Sequence, residues 1–201
     1  MEYRDLLKRR RMVRHYERKP VPREALERIA ATIRHAPSAG HSQGWRALVV
    51  TDPDLLAALA EDEAKELGEG LEPWFGSAPA HVMILTREQD YHDRYRQPDK
   101  LQEGEEIHWP VPFWLVDAGA ALMLVLLAAI DEGFACGIYG VQVELEPRVR
   151  ELLAIPDDLR IVAGVTLGGG APDPGWSRVT SRATRPRRET GDLVRWQRWS
   201  S

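Results

Sequence analysis

Apolar residues fall at helical spacing twice before any strand-like run occurs. Tyr3, Leu6 and Leu7 share one side of a helix predicted over 2 to about 10. After the breaker Lys19-Pro20-Val21-Pro22, a second helix opens at Pro22-Arg23-Glu24, with Leu26, Ile29, Ala30 and Ile33 on one face. His35-Ala36-Pro37-Ser38-Ala39-Gly40 ends it in a loop, and Trp45 to Thr51 reads as a strand. Asp52 or Asp54 is placed to cap the next helix, which carries Leu55, Leu56 and Leu59. His81 to Thr86 is a second strand. Arg87 to Pro112 is polar and aromatic without a clear period, a long excursion of the kind that serves as a lid or binding loop. Val116 to Gly133 is apolar almost throughout and is expected to be a helix buried on nearly all sides. Gly137-Ile138-Tyr139-Gly140 reads as a turn, Arg148 to Leu153 as a short helix, and Arg160 to Leu167 as a third strand ending at Gly168-Gly169-Gly170.

Few strands and two leading helices predict an α+β sandwich over a doubly wound parallel sheet. Residues 1–201 read as a single domain, with 171–201 as an extended C-terminal arm. Trp176, Trp196 and Trp199 make that arm too apolar to float, so it is expected to wrap a neighbouring copy in a dimer.

Composition narrows the class. The 201 residues suffice for a sizeable core. With 43% hydrophobic and 29% charged residues, the chain resembles neither a disordered nor a membrane protein. The run Ala118 to Ile130 is too short to span a bilayer and is bounded by Asp117 and Asp131. A net charge of -4 argues against broad contact with nucleic acid. The single cysteine, Cys136, allows no intrachain disulfide and no cysteine-based zinc site, and the N-terminus lacks the apolar core of a signal peptide; the expected home is a reducing cytoplasm. No HExxH, GxSxG or Walker loop occurs, and Gly168-Gly169-Gly170 is no GxGxxG. No metal site is expected.

Three stretches carry candidate chemistry. In Arg10-Arg11-Met12-Val13-Arg14 the arginines form a solvated helix end or grip a phosphate bidentately. Ala36 to Arg46 offers small residues for close backbone approach, with Ser38, His41, Ser42 and Gln43 as polar contacts, or is a plain turn. Thr184-Arg185-Pro186-Arg187-Arg188 is a second arginine cluster or a solvated tail.

Taken in order, these stretches resemble the nitroreductase-like flavoprotein family over nearly the whole chain. That family opens with a helix and a pattern like R-R-S-[IV]-R-x-[FY], here Arg10 to Tyr16. A loop like A-P-S-x-x-N-x-Q-P-W-R-F follows one helix later, here Ala36 to Ala47. A long helix opening D-A-G-A-A comes next, here Asp117 to Ala121, then a glycine turn near Gly137 to Gly140. The family closes with a strand ending in L-G, here Leu167-Gly168, and a late [KR]-P-R-R, here Arg185 to Arg188.

The resemblance implies a sandwich with a mostly antiparallel sheet flanked by helices. It further implies a homodimer that binds FMN at the subunit interface and passes electrons by a ping-pong route from NADH or NADPH to a nitroaromatic, quinone or similar small acceptor. By resemblance, Arg10, Arg185 and Arg187 hold the phosphate, with Arg11 and Met12 beside them. Arg14 sits near the flavin N1 and C2 carbonyl, where a cation stabilises the reduced ring. Pro37, Ser38, His41 and Gln43 contact the ribityl chain or ring, Tyr139 and Gly140 line its other side, and Gly168 completes the cofactor set. The flavin carries the redox chemistry, so no catalytic side chain is called for. His108, Trp109, Phe113 and Trp114 are candidates to stack on the acceptor, against plain packing as the alternative.

Three departures stand out. Met12 replaces a serine, His41 an asparagine and Gly44 a proline. A histidine in the loop resembles the iodotyrosine deiodinase branch, whose lid needs Glu, Tyr and Lys; Glu88, Tyr91, Tyr95 and Lys100 lie in the excursion. The dimethylbenzimidazole synthase branch carries an acid where this chain has Met12. A specialised biosynthetic oxidoreductase, a deazaflavin in place of FMN, a non-catalytic flavin binder and an arginine-based nucleic-acid module complete the alternatives.

Overall fold

The computed structural model describes residues 2–67, 73–172 and 187–199. The chain divides into two compact units, Met1–Ala171 and Pro172–Ser201. In the first, the helices α1 (Tyr3–Arg9) and α2 (Arg23–Ala31) precede two 3-10 turns, Thr32–His35 and Ala39–His41. Then come β1 (Trp45–Val50), α3 (Pro53–Glu66), β2 (Ala80–Thr86), α4 (Gln89–Tyr95), α5 (Phe113–Asp131), β3 (Ala135–Tyr139), α6 (Glu146–Leu153) and β4 (Arg160–Gly168). The described part of the second unit holds the short helix α7 (Thr190–Leu193) and exposed Leu193, Val194, Trp196 and Trp199.

Local chemistry explains several boundaries. Asp52 caps α3: its carboxylate accepts from the backbone N–H of Asp54 (2.9 Å) and Leu55 (3.2 Å), and Pro53 takes the first helical position. The helix α6 stops where Ala154 turns left-handed at φ 50°.

The four strands form one antiparallel sheet in the order β1-β2-β4-β3. The central strand β2 is buried along its whole length. Its alternation builds two cores. Ala80, Val82 and Ile84, with Val165 and Leu167, pack against α2 and α5. Met83 and Leu85, with Val50 and Tyr139, pack against Leu56 and Leu59 of α3, Val149 of α6 and Phe75. The result is the α+β sandwich with an antiparallel sheet that the sequence predicts.

Three sequence expectations need correction. Gly137 to Tyr139 is not a turn but the second half of β3, so the sheet has four strands. The excursion contains α4, whose seven residues turn three rings inward, Tyr91, His92 and Tyr95, among polar and charged neighbours. Finally, α5 is not buried all round. Phe113, Val116 and Met123 stand exposed along one face, while Ala118, Ala121, Val125, Leu126 and Ala129 pack inward. An all-apolar helix fits either full burial or a face open to a partner. Among the described residues, α5 is also the one helix long and apolar enough to cross a membrane; its inner face packs in the core with β2, β4 and α2.

Candidate functional site

The segment Arg10 to Glu17 lies along the outer edge of the sheet. Val13 N–H donates to the Cys136 carbonyl at 3.0 Å, and Glu17 N–H to Gly169 at 2.8 Å. The Tyr16 hydroxyl reaches the Val13 carbonyl and the Thr166 hydroxyl, each at 2.7 Å, and Thr166 bonds Gly137 O at 3.2 Å. Gly137 makes this approach possible: a Cβ there would collide with the Val13 carbonyl. Burial raises the Tyr16 pKa well above its ordinary value, the Thr166 bond working against it, so the hydroxyl stays neutral as a peg.

This pegging presents the arginines. Arg10 and Arg14 are half-buried and Arg11 is exposed. The Arg14 guanidinium lies over the Trp74 ring, 5.4 Å from its centroid, and Trp74 stacks on Tyr139. Arg10 acts on Cys136: burial pushes that thiol up to about 11, and the arginine's charge opposes the rise. Among the described residues, none of the three arginines has a carboxylate within ion-pair distance. Met12, half-buried, lies between them.

The second stretch, Ser38 to Gly44, sits at the N-terminal end of β1. Gly40 (φ 60°), His41 (φ 61°) and Gln43 (φ 53°) are all left-handed, an uncommon state for the two non-glycine residues. The loop's backbone is tied nearly unit by unit. His41 N–H donates to Ser38 O (2.9 Å), Gln43 N–H to the Ser38 hydroxyl (3.0 Å) and the Ser42 hydroxyl to Ala39 O (2.6 Å). Pro37, His41 and Gln43 are left facing solvent, with Ser38 half-buried.

The two stretches stand at opposite corners of the sheet. Gly137 is level with Val50 through Thr166 and His81, whereas the loop enters at Trp45, five residues further along β1. The edge strands β1 and β3 are three strand spacings apart. That separates the corners by about 14 Å across and about 17 Å along the sheet.

The remaining candidates divide. The Tyr139 ring is 3% exposed, seated where Gly164 has no side chain, with its hydroxyl 3.0 Å from His81 Nδ1; only its backbone and exposed Gly140 face outward on this edge. Gly168 is buried at the end of β4 against Pro79 and Tyr16. Trp114 is buried at 9% in an aromatic cluster with Tyr91, His92 and Trp109. Trp109 is half-buried there and donates its indole N–H to Glu106 at 2.7 Å. Their rings therefore serve packing within the chain, while Phe113 and His108 stay exposed. Arg187 is exposed in the second unit, and Arg185 lies outside the described residues. A cavity of about 940 Å³ lined by Tyr16, Val21, Leu26, Val49, Leu56 and Phe75 contains none of the predicted site residues.

Sequence reasoning missed Trp74, which falls in a segment without period, and the roles of Tyr91, Arg94 and Asp117. Only Asp117 had a signal, as the first residue of D-A-G-A-A.

Residues 7–169 match the model of the Nitroreductase family. A protein of Archaeoglobus fulgidus named "Putative NADH dehydrogenase/NAD(P)H nitroreductase" is 30% identical over 161 residues, 79% of this chain and 80% of its own. An iodotyrosine deiodinase of Nematostella vectensis is 27% identical across 86% of this chain and 68% of its own. In three dimensions the chain is similar to an FMN-dependent nitroreductase of Clostridium difficile R20291, with a TM-score of 0.67, 20% identity, and 96% and 98% of the two chains covered. This fold, with its antiparallel sheet and paired polar corners, belongs to a class of oxidoreductases. The chain is a member of the nitroreductase family.

Proposed function

We propose that this oxidoreductase is a homodimeric, FMN-dependent enzyme that reduces a small organic acceptor with NADH or NADPH. The observation that carries the reading is the separation of the two corners. Within one chain, Arg10–Arg14 and Ser38–Gln43 cannot close around one cofactor. A second copy supplying the opposite corner can. The exposed Phe113, Val116 and Met123 face of α5 gives such a copy apolar surface to cover.

The residues fit the cofactor. Three cations without ion partners among the described residues suit a phosphomonoester and the electron-rich edge of a reduced ring. When bound, the flavin supplies hydride acceptance from the nicotinamide and delivery of reducing equivalents to the acceptor. Arg10 and Arg11 bind the phosphate. Arg14, held over Trp74, keeps a positive charge at the ring's carbonyl edge. Ser38, His41 and Gln43 orient the cofactor from the other corner, and the Tyr139–Gly140 backbone lines the remaining side. His108 and Phe113 are the exposed groups of the excursion open to an acceptor.

Nitroaromatics and quinones are the favoured acceptors. Glu88 lies near His92 and Arg160, and the Tyr91 hydroxyl donates to Asp117. The Tyr91 hydroxyl, taken up by Asp117, is not free to grip a zwitterionic amino acid as a deiodinase lid requires. A buried free cysteine suits a reducing cytoplasm.

The test is the visible spectrum of the purified protein, followed during anaerobic addition of NADH, then NADPH, then a nitroaromatic, a quinone or iodotyrosine. Flavin bands that bleach with a nicotinamide and return with an acceptor are expected. A colourless protein that takes up no added FMN sinks the reading, and bands that no nicotinamide bleaches leave a flavin binder.

A further inference from the structure

The loop Ser38–Gly44 is held from behind by groups outside the cofactor set. Left-handed backbone at His41 and Gln43 persists only where the surroundings impose it. The surroundings here are α4 and the start of α5. Asp117, buried in α5, accepts through Oδ2 from Ala39 N–H at 2.8 Å and from the Tyr91 hydroxyl at 2.9 Å. Arg94 donates from Nε to the Gly40 carbonyl at 2.9 Å, while its two other nitrogens grip Asp99 at 2.8 and 2.7 Å. Arg46 donates to the Gln43 carbonyl at 2.7 Å, and Arg87 N–H to the Gly44 carbonyl at 2.9 Å. Both glycines face tyrosines. A Cβ on Gly40 would lie 2.6 Å from the Tyr95 ring, and one on Gly44 would collide with the Tyr91 ring and the Arg87 carbonyl.

We infer that α4 and Asp117 form a splint, in which Tyr91, Arg94, Tyr95 and Asp117 are positioning residues that fix Ser38–Gly44 in its ligand-receiving shape. This rests on the flavin reading of the loop and deepens it. The excursion, expected to be a lid, is at α4 a fixed backing for the cofactor loop. The splint also accounts for a departure of this chain. Where the family commonly has proline, Gly44 leaves the space that the Tyr91 ring occupies, so Gly44 and Tyr91 are two halves of one adaptation. The loop then meets its ligand already ordered, and that ordering is what a supporting shell contributes to affinity.

The experiment uses the full chain as purified, with Tyr91→Phe and Arg94→Lys as variants. Hydrogen exchange of peptides covering residues 37–45 is read alongside FMN affinity and the flavin spectrum. In Tyr91→Phe the loop peptide is expected to exchange about tenfold faster while peptides of β2 and β4 stay unchanged. FMN affinity should weaken about fivefold, with a shifted flavin band. Arg94→Lys, which keeps the charge but loses the fork to Asp99, should do the same more weakly. Unchanged loop exchange in both variants overturns the splint. So does exchange that rises equally everywhere, or a loosened loop with wild-type FMN affinity and spectrum. A wild-type protein that takes up no FMN fails the flavin reading instead, and loop exchange then decides alone whether α4 backs the loop.

Discussion

The two polar corners use the same residue types in opposite ways. At the β3 corner, Arg10, Arg11 and Arg14 have no carboxylate partner among the described residues, and the segment is fixed by hydroxyls and backbone. At the β1 corner, Arg46 and Arg87 share Asp90, Arg87 also holds Asp158, Arg94 holds Asp99 and Arg96 holds Glu106. Each corner also needs a glycine for close approach, Gly137 in one and Gly44 in the other. An arginine-rich stretch is therefore no signal of function in itself. The acids around it decide. Seven acids lie between Glu88 and Glu106, and that region neutralises its own cations; from Leu6 to Tyr16 there are none. A cluster of like charges is unfavourable unless something anionic compensates it, and at the β3 corner no described residue of the chain does so.

The largest effect should come from removing the approach on which the β3 corner depends. Gly137→Val puts a branched side chain into the Val13 carbonyl, with the Tyr16 and Thr166 hydroxyls beside it. A loss of about 3 kcal/mol is expected, near 6–12 °C in melting temperature, together with loss of FMN uptake. A variant that melts with the wild type and binds FMN would mean the arginine segment is not pegged there.

Acid should then separate the corners. His81 is buried against Phe75 and Tyr139, and burial pushes its pKa down from 6.5 to about 4. The unfolded chain takes up this proton near pH 6.5 and the folded chain only near pH 4. Stability is thus full above pH 6.5, falls as pH drops through that window, and loses about 3 kcal/mol in all. At the β1 corner, the Arg94 bonds hold the Asp99 carboxyl below its ordinary range, so that pair survives until the pH is lower still. Denaturant melts at pH 7, 5.5 and 4.5 should show the slope, and His81→Phe should flatten it. A slope unchanged in the variant would assign the loss to other groups.

Much of this frame was legible in sequence, for physical reasons that also mark where reading stopped. The Asp52 cap, the apolar face of α2 and the run of β2 follow from local chemistry. β3 was misread because Gly137 looks like a turn, yet its glycine answers a contact with Val13, 124 positions away in sequence, that no local pattern reveals. α4 was missed because its core-facing residues are two tyrosines and a histidine in a charged run. The arginines and the Ser38 loop were legible as candidates. That they occupy opposite corners was not, since strand order is set by tertiary pairing. The same holds for the Tyr139 ring, which turns inward because Gly164 on the neighbouring strand leaves room.

The comparison is sharpened directly by exchanging equal truncations. Arg10→Ala should weaken FMN binding about 10- to 100-fold, the scale of one charge-assisted phosphate contact, without lowering the melting temperature. Full affinity in that variant would remove Arg10 from the cradle.

The smallest expected effect is its counterpart, Arg87→Ala. This arginine bridges Asp90 at 3.0 Å and Asp158 at 2.7 Å, and it is partly exposed, so solvent screens both bonds. A single exposed pair is worth little, but Asp90 is shared with Arg46 and is itself largely covered. Losing Arg87 leaves Asp90 with one cation, while the backbone N–H of residue 87 still holds Gly44 O. A small loss of stability is expected, a lowering of the melting temperature that added salt reduces. FMN affinity should change less than in Arg10→Ala, because the side chain touches carboxylates and not the ligand. If Arg87→Ala instead weakened FMN as strongly as Arg10→Ala while leaving the melt untouched, then pairing with acids would not distinguish structural from ligand-binding arginines, and the contrast between the corners would fall.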